Sequence, residues 1–204
     1  MTRTEEILNI LHTFIIPKGE LNYSNPYELL IAVVLSAQTT DKHVNLITRV
    51  LFEKYPNVLE LSKANIDDIK QIIKPLGLYE NKSKNILNLS KEIVERFNCA
   101  IPSSFEDLIS LPGVGRKTAQ VVLAMGFNIE ALPVDTHVER VSKRLGIAKR
   151  DASVLEVEMT LKRKIKKNEW IDSHHLLLLF GRYYCKAIKP NCDGCKLKKY
   201  CKGI

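Results

Sequence analysis

Apolar residues recur every three or four positions along most of the chain, the period that gives an α-helix one buried face. One such stretch places Val44, Ile47, Val50 and Leu51 on a single face, and another runs over residues 81–97. Alternation with a period of two, which would indicate half-buried strands, is rare. The pattern therefore predicts an all-α fold whose helices are joined by short connections.

Polar side chains at the ends of these stretches indicate where helices begin. Oxygen atoms of Ser, Thr, Asp and Asn side chains accept hydrogen bonds from the first-turn amides of a helix. The predicted first residues or caps are Thr40 or Asp41, Asn65, Ser104, and Asp135 or Thr136. Further helices are predicted over residues 117–125, 151–166 and 169–184.

The chain has 204 residues, of which 45% are hydrophobic. This length allows one large domain or two small ones and burial of roughly 70% of the unfolded surface. The longest apolar run, residues 29–35, is far too short to cross a bilayer, as is the run over residues 176–180. The polar residues 1–6 do not begin a secretion signal, so we expect a cytoplasmic protein without a membrane partner.

Basic residues outnumber acidic ones, 31 against 23, which gives a formal net charge of +8. Such a charge favours a polyanionic partner, and nucleic acid is the first candidate. One basic cluster covers residues 162–167, where a solvated helix face is an equally good interpretation. A second surrounds the C-terminal cysteines and consists of Lys186, Lys189, Lys196, Lys198, Lys199 and Lys202.

Four cysteines lie within residues 185–201, at Cys185, Cys192, Cys195 and Cys201. Four soft ligands at this density indicate a thiolate-bound metal centre. Zinc sites of four cysteines usually consist of two close pairs, whereas only Cys192 and Cys195 form a close pair here. We therefore predict a [4Fe–4S] cluster, with zinc as the alternative. The fifth cysteine, Cys99, is predicted to be a buried, inert thiol.

Residues 111–119, with the sequence LPGVGRKTA, lie between two predicted helices, over residues 104–109 and 117–125. Two helices joined by Pro-Gly-Val-Gly form the pattern of a helix-hairpin-helix. Its glycines allow positive φ and a close approach of the backbone to a ligand. The turn would direct amide hydrogens of Gly113, Val114, Gly115 and Arg116 toward a phosphate of DNA, a contact without sequence information.

The chain resembles the endonuclease III family of DNA glycosylases and abasic-site lyases, which belongs to the helix-hairpin-helix–Gly/Pro–Asp superfamily. The motifs that carry the resemblance are residues 35–41, 77–79, 111–119, 134–138, 181–183 and the four-cysteine segment. The resemblance implies a six-helix domain over residues 20–130, with the hairpin at about 104–125. A second helical domain, from residues 1–19 and 131–204, would hold the cluster, with a DNA-binding cleft between the two domains.

The same resemblance implies that Lys117 and Asp135 are catalytic. A neutral lysine amine can attack deoxyribose C1′ and form a Schiff base, and β-elimination then cuts the strand. The adjacent Arg116 and the helix N-terminus disfavour the charged amine, and a carboxylate stabilises positive charge on the sugar. Without the resemblance, Lys117 would be a solvated helical lysine and Asp135 a helix cap.

Further residues are assigned by the resemblance alone. The damaged base must leave the duplex, and Gln38 and Leu78 match positions that fill the resulting gap. A helix-terminal glutamine and a core leucine are the alternatives. Thr39, Thr40, Asp41 and His137 would line the base pocket, and Lys189 would contact DNA. His174 and His175 are interpreted as structural.

The sequence therefore predicts a base excision repair enzyme that is a bifunctional glycosylase for oxidised pyrimidines in duplex DNA and a β-eliminating lyase. It would act as a monomer. An adenine or mismatch glycosylase of the same superfamily is the enzymatic alternative, although those relatives lack the hairpin lysine. A non-catalytic DNA-binding or redox-sensing iron–sulfur protein is the alternative from another class.

Overall fold

A computed structural model describes residues 1–203, and every regular element within them is helical. The α-helices are α1 Arg3–His12, α2 Pro26–Leu35, α3 Asp41–Lys54, α4 Val58–Ser62, α5 Ile66–Ile73, α6 Tyr79–Phe97, α7 Phe105–Ser110, α8 Arg116–Val121, α9 Thr136–Arg144, α10 Val154–Lys164 and α11 Trp170–Tyr183. The all-α prediction is confirmed. No helix among the described residues is both long and apolar enough to span a membrane.

The chain forms two compact units. One is continuous, Glu20–Ile129, and contains α2 to α8. The other combines Met1–Gly19 with Glu130–Ile204 and contains α1, α9, α10 and α11. We call them the hairpin unit and the cysteine unit.

In the hairpin unit, α2 is buried along nearly its whole length and packs against α3, α6 and α8. A helix that is apolar on all sides must be central. Asparagine, threonine and serine caps start the surrounding helices, among them Asn25, Thr40, Asn57, Asn65 and Ser104. A π-helical turn, Val122–Gly126, extends α8.

In the cysteine unit, α11 packs against α1 and α9 around a single apolar core. Gly181 of α11 lies directly against α9. A Cβ atom at this position would lie 2.9 Å from the His137 Cβ and 3.0 Å from a Val141 methyl group. Any larger residue would force α9 and α11 apart, so this glycine sets their spacing.

Two predictions from the periodicity and composition are wrong. Val50 is 46% exposed, and the buried face of α3 instead includes Thr48, between Val44 and Leu51. Cys99 is exposed rather than buried. It follows α6 in a left-handed conformation with φ +66°, where its amide caps the helix by donating to the Ile93 carbonyl.

Candidate nucleic-acid interface and cysteine centre

The turn between α7 and α8 is fixed by packing as well as by hydrogen bonding. The Val114 amide donates to the Leu111 carbonyl at 3.1 Å, and Gly113 has φ +77°. A Cβ atom at Gly113 would come within 2.9 Å of the Asn85 side-chain carbons and 2.7 Å of its nitrogen. Gly113 is therefore required both by its backbone conformation and by the close approach of α6.

Gly115 differs from Gly113, because nothing in the fold demands a glycine there. Its φ is −94°, and no atom lies within 4 Å of where a Cβ would be. It occupies the N-cap position of α8, and no side chain caps that helix. A helix N-terminus with a glycine N-cap and no side-chain cap leaves room for an anion to approach the first backbone amides.

The first two residues of α8 carry positive charge at this end of the hairpin. Arg116 is exposed, and its guanidinium carbon lies 5.1 Å from the centre of the Phe105 ring. Lys117 is half-buried in the first helical turn. A cation–π contact at such a distance restrains Arg116 on α7, so the charge is held next to the glycine turn.

Gln38 and Leu78 both lie in loops and both have left-handed backbones. Their φ values are +56° and +59°, which cost a non-glycine residue roughly 1–3 kcal/mol. Gln38 is exposed in the connection between α2 and α3. Leu78 is 55% exposed immediately before α6. The structure therefore excludes the interpretation of Leu78 as a core leucine.

The three residues after Gln38 lead from the α2–α3 connection into the first turn of α3. Thr40 is the N-cap and accepts from the His43 amide, and Asp41 is the first helical residue. Thr39 is half-buried, and its hydroxyl accepts a hydrogen bond from Lys82 Nζ at 3.0 Å. Two of these three predicted pocket residues thus have a structural role in the α2–α3 connection.

Asp135 is the N-cap of α9 and is half-buried. Its Oδ1 accepts hydrogen bonds from the amides of His137 and Val138, both at 2.9 Å. The His137 ring nitrogen Nδ1 lies 3.3 Å from Arg140 Nη2. The carboxylate is held rigidly by its own helix, which fits both the capping role and a chemical role that needs a fixed carboxylate.

The four predicted ligand cysteines line a single cavity of about 340 Å³, together with apolar residues such as Leu145 and Phe180. Cys185 follows the end of α11, and its amide donates to the Phe180 carbonyl at 2.8 Å. Burial raises the pKa of the Cys195 thiol. The structure thus brings together cysteines that are up to sixteen positions apart in the sequence.

Arginine side chains of α9 hold the segment that carries Cys185. Arg140 Nη2 donates to the carbonyl oxygens of Gly181 at 2.7 Å and Cys185 at 3.0 Å. Arg144 Nη1 donates to the Lys186 carbonyl at 2.7 Å and lies 3.4 Å from the Cys185 sulfur. Sequence reasoning did not single out either arginine, because only folding brings α9 to the cysteines.

The donor set suits a polynuclear iron–sulfur cluster. Four thiols spread around one largely apolar cavity match a [4Fe–4S] group, because each cysteine ligates a different iron atom. Among residues 1–203, no three or more His, Cys, Asp or Glu side chains are grouped so that they could hold a metal ion together. The four cysteines are instead distributed around the wall of the cavity. The donor chemistry and the shared cavity fit the cluster, and Arg144 beside Cys185 would offset thiolate charge.

A second cavity of the cysteine unit, of about 590 Å³, is strongly basic. Its lining includes Arg140, Lys143, Arg144, Lys149, Arg150 and Lys202, with Asp151 also at the wall. The Lys202 stem lies over Gly146, where a Cβ would be 2.8 Å from Lys202 Cε. Its amide donates to the Arg144 carbonyl at 2.8 Å. Such a cavity attracts anionic groups.

Lys189 lies in the exposed loop before Cys192 and has φ +49°. His174 and His175, by contrast, are buried in α11, with His174 Nδ1 2.8 Å from the Pro133 carbonyl oxygen. Burial lowers the pKa of His175. This pair belongs to the core of the unit, as expected from the sequence.

Comparison with known proteins identifies the family. Residues 31–167 match the model of the HhH-GPD superfamily base excision DNA repair protein. The chain is 51% identical to endonuclease III of Bacillus subtilis (strain 168) over 183 residues, which cover 90% of this chain and 84% of the relative. It is 40% identical to endonuclease III of Escherichia coli (strain K12), over 91% of this chain and 87% of that relative. The chain belongs to the endonuclease III family.

Solved structures agree with this assignment. A trapped endonuclease III–DNA covalent intermediate superimposes with a TM-score of 0.93 at 46% identity, covering 99% of this chain and 96% of that one. A non-covalent endonuclease III–DNA complex gives a TM-score of 0.94 at the same identity and coverage. The all-α fold predicted from the sequence is therefore that of this family.

Family membership makes the chain a base excision repair enzyme, a DNA glycosylase with the lyase activity typical of endonuclease III. The predictions of family, enzyme class and DNA repair function are confirmed. The roles of single residues and the identity of the damaged base are the subject of the proposal that follows.

Proposed function

We propose that this member of the endonuclease III family removes oxidised pyrimidines from duplex DNA and then cuts the abasic strand by β-elimination. One observation carries the proposal. Lys117 lies in the first turn of α8, directly after the glycine turn of the hairpin, in a fold whose 46%-identical relative is a trapped covalent intermediate with DNA. A covalent intermediate requires a nucleophile on the protein. Lysine is the residue type whose amine forms a Schiff base with the C1′ carbon of a sugar.

The proposed chemistry begins with Lys117 Nζ in its neutral form. The nitrogen lone pair forms a bond to C1′ while the bond from C1′ to the base breaks, and the base leaves with the bonding electrons. The nitrogen then loses one proton and the C1′–O4′ bond breaks; O4′ leaves with the bonding electrons and takes up a proton, which opens the sugar ring and gives an iminium ion at C1′. That ion acidifies the C2′ proton, and its removal expels the 3′ phosphate, which cuts the strand.

Asp135 would act through its fixed carboxylate. Two backbone amides hold Oδ1, so the carboxylate keeps one orientation without further ordering. We assign to it acceptance of a proton from the amine and stabilisation of the positive charge that develops on the sugar. Both tasks need a preorganised negative charge and no rearrangement at the moment of reaction.

DNA binding would use the hairpin backbone and the strained loops. Gly113, Val114, Gly115 and Arg116 would meet a phosphate, and Lys189 would supply a further charge. Gln38 and Leu78 would fill the gap left by the flipped nucleotide: the glutamine amide can hydrogen-bond the orphaned base, and the leucine can replace lost stacking. Their exposure and left-handed backbones support this assignment, since strain concentrates at functional sites.

The base pocket would include Thr39, Thr40, Asp41 and His137. Thymine glycol is the type of ring-saturated pyrimidine that we expect to enter it. We further propose that the enzyme acts as a monomer in the cytoplasm, because one flipped nucleotide needs one active site.

The four cysteines would hold a [4Fe–4S] cluster. When bound, the cluster supplies iron–thiolate bonds that cross-link residues 185–201, a segment with little apolar core of its own beyond Leu197 and Tyr200. Arg140 and Arg144 of α9 would hold the backbone of Cys185 and Lys186 against that helix. The role that we assign to the cluster is structural and separate from the lysine chemistry.

Borohydride trapping tests the proposal. A duplex with one thymine glycol is incubated with the protein and sodium borohydride, beside an undamaged duplex. We expect a covalent band that depends on the lesion, is lost in Lys117→Ala and is retained in Lys84→Ala, an exposed lysine of the same unit. A band that persists in Lys117→Ala would overturn the assignment, and release of free base without any band would indicate a monofunctional glycosylase.

A further inference from the structure

Among the described residues of the hairpin unit, five non-glycine residues are left-handed, and two of them are the proposed insertion residues. Gln38 and Leu78 are both left-handed non-glycine residues, and they lie 40 positions apart in the chain. Each conformation is unfavourable in isolation and persists only where surrounding contacts determine it. The two loops therefore need something that holds them.

Lys82 contacts both loops. It lies in the first turn of α6, one turn after Leu78, and its amide donates to the Leu78 carbonyl at 3.0 Å. Its side chain runs to the other loop, where Nζ donates to the Thr39 hydroxyl at 3.0 Å. Thr39 directly follows Gln38. The amide contact is the ordinary i to i−4 hydrogen bond of α6, which any residue would make, so the link between the two loops depends on the Lys82 side chain.

The placement of Lys82 is costly for stability. The residue is only 3% exposed, and lysine is almost never fully buried unless it is paired. Desolvation lowers the pKa of its ammonium group. A methionine of nearly the same length would fill the same space without burying a charge. Stability alone therefore does not account for a lysine at this position.

We propose that Lys82 is a positioning residue that couples the Gln38 and Leu78 loops, so that both side chains enter the duplex as one unit. This inference rests on the proposed insertion of these two side chains. The role that we assign to Lys82 is positional, because its side chain is directed to the Thr39 hydroxyl and has no part in the proposed lysine chemistry. Because a flipped nucleotide leaves one gap, an amide and an apolar wedge that insert together prevent the base from returning.

The test compares Lys82→Met, Thr39→Val and the double variant with Lys84→Met, which changes an exposed lysine two residues along α6. Three measurements are made on each. Base flipping is followed by the fluorescence of 2-aminopurine placed beside thymine glycol in a duplex, with excision measured under single-turnover conditions. Borohydride trapping uses a single-stranded oligonucleotide with a preformed abasic site, which needs no insertion. Thermal unfolding reports the fold.

For Lys82→Met we expect excision from the duplex and the flipping signal to fall by about tenfold. Trapping on the single strand should stay within about twofold of the unaltered protein, and the unfolding temperature should be unchanged or higher. Thr39→Val removes the acceptor of the Lys82 hydrogen bond and should also lower duplex excision, and the double variant should be no worse than the more impaired of the two single variants. Lys84→Met should behave as the unaltered protein does.

Three results would overturn the coupling: duplex excision by Lys82→Met within about twofold of the unaltered protein, equal losses on duplex and single strand, or independent, multiplying effects of Lys82→Met and Thr39→Val. The single-strand arm keeps this inference separate from the proposed chemistry. Trapping by the unaltered protein supports the Lys117 mechanism whether or not Lys82 couples the loops. Absence of trapping there would count against the mechanism instead.

Discussion

The hairpin unit and the cysteine unit present their candidate functional residues in different ways. In the hairpin unit, backbone conformation and close packing fix the exposed turns, as at Gly113 against Asn85. In the cysteine unit, long side chains reach the carbonyl oxygens of an irregular segment, as Arg144 does at Lys186. The first arrangement is complete in the polypeptide itself. The second leaves four thiols around a cavity that a cofactor would cross-link.

Because the two units are held by different interactions, a change in one unit should leave the other unit unaltered. If the proposed cluster is bound, its removal should affect the order of the cysteine unit and leave the hairpin turn as it is. Small changes at the hairpin glycines should affect DNA binding or local folding without changing iron content.

Loss of one of the proposed cysteine ligands should destabilise the cysteine unit and leave the hairpin unit unchanged. Cys192→Ala should lower the unfolding temperature of the cysteine unit by about 10 °C or more, because a structural metal centre contributes directly to folding. Hydrogen exchange should accelerate across residues 185–201 and stay unchanged in α7 and α8. Cys99→Ala is the matched control, since Cys99 is exposed and lies outside the cavity. Unchanged unfolding and exchange in an iron-free Cys192→Ala protein would contradict the structural role of the cluster.

Substitution of the two hairpin glycines by alanine should affect different properties, stability at Gly113 and DNA binding at Gly115. Gly113→Ala introduces both a left-handed alanine and a clash with Asn85, so we expect a loss of about 2–3 kcal/mol in the free energy of unfolding. Gly115→Ala meets open space and should cost at most about 1 kcal/mol. Chemical denaturation and duplex binding measure the pair. Gly115→Ala should weaken binding despite its intact fold; normal binding would remove the hairpin backbone from the proposed interface.

The arginine contacts in the cysteine unit should depend on the shape of the guanidinium group. Arg144→Lys keeps the charge but cannot reach the Lys186 carbonyl and the Cys185 sulfur together, so we expect a loss of about 1–3 kcal/mol. Arg150→Lys, at an exposed position of the same unit, is the control. Denaturation and the iron content after purification provide the measurements. Equal stability of the two variants would show that charge alone is sufficient at Arg144.

A smaller effect concerns pH and His175, one of the two buried histidines of α11. Burial lowers the pKa of His175 below its usual 6.5, so the unfolded chain binds a proton at a higher pH than the folded protein. Stability is therefore lost as the pH falls below about 6.5, by at most about 2 kcal/mol at pH 5. His175→Gln should flatten this part of the pH–stability curve, whereas His43→Gln, at an exposed site, should not. A curve unchanged by His175→Gln would contradict the assignment.

Features that depend on neighbouring residues in the chain were predictable from the sequence. Asn65 and Ser104 cap their helices as expected, because a cap needs only the next three residues. The wrong predictions concern tertiary burial. Thr48 replaces Val50 on the buried face of α3, and Cys99 serves as an exposed helix end. Periodicity identifies a helix more reliably than it identifies the face that packs.

The candidate site divides in the same way. The hairpin motif and the four cysteines are contiguous enough to be recognised in the sequence. Lys82 and Thr39 are 43 positions apart, and Arg144 and Lys186 are 42 apart, so no local pattern relates them. The left-handed backbone of Leu78 is also invisible in the sequence, because leucine rarely adopts it. Only the fold shows that this leucine is exposed and strained.

Mapping the covalent adduct would identify the nucleophile. The protein is trapped with borohydride on a duplex that contains one thymine glycol, the DNA is digested, and the modified peptide is sequenced by mass spectrometry. We expect a reduced deoxyribose remnant on Lys117, the second residue after Gly115. A remnant on another lysine or on the N-terminal amine would contradict the assignment of Lys117 as the nucleophile.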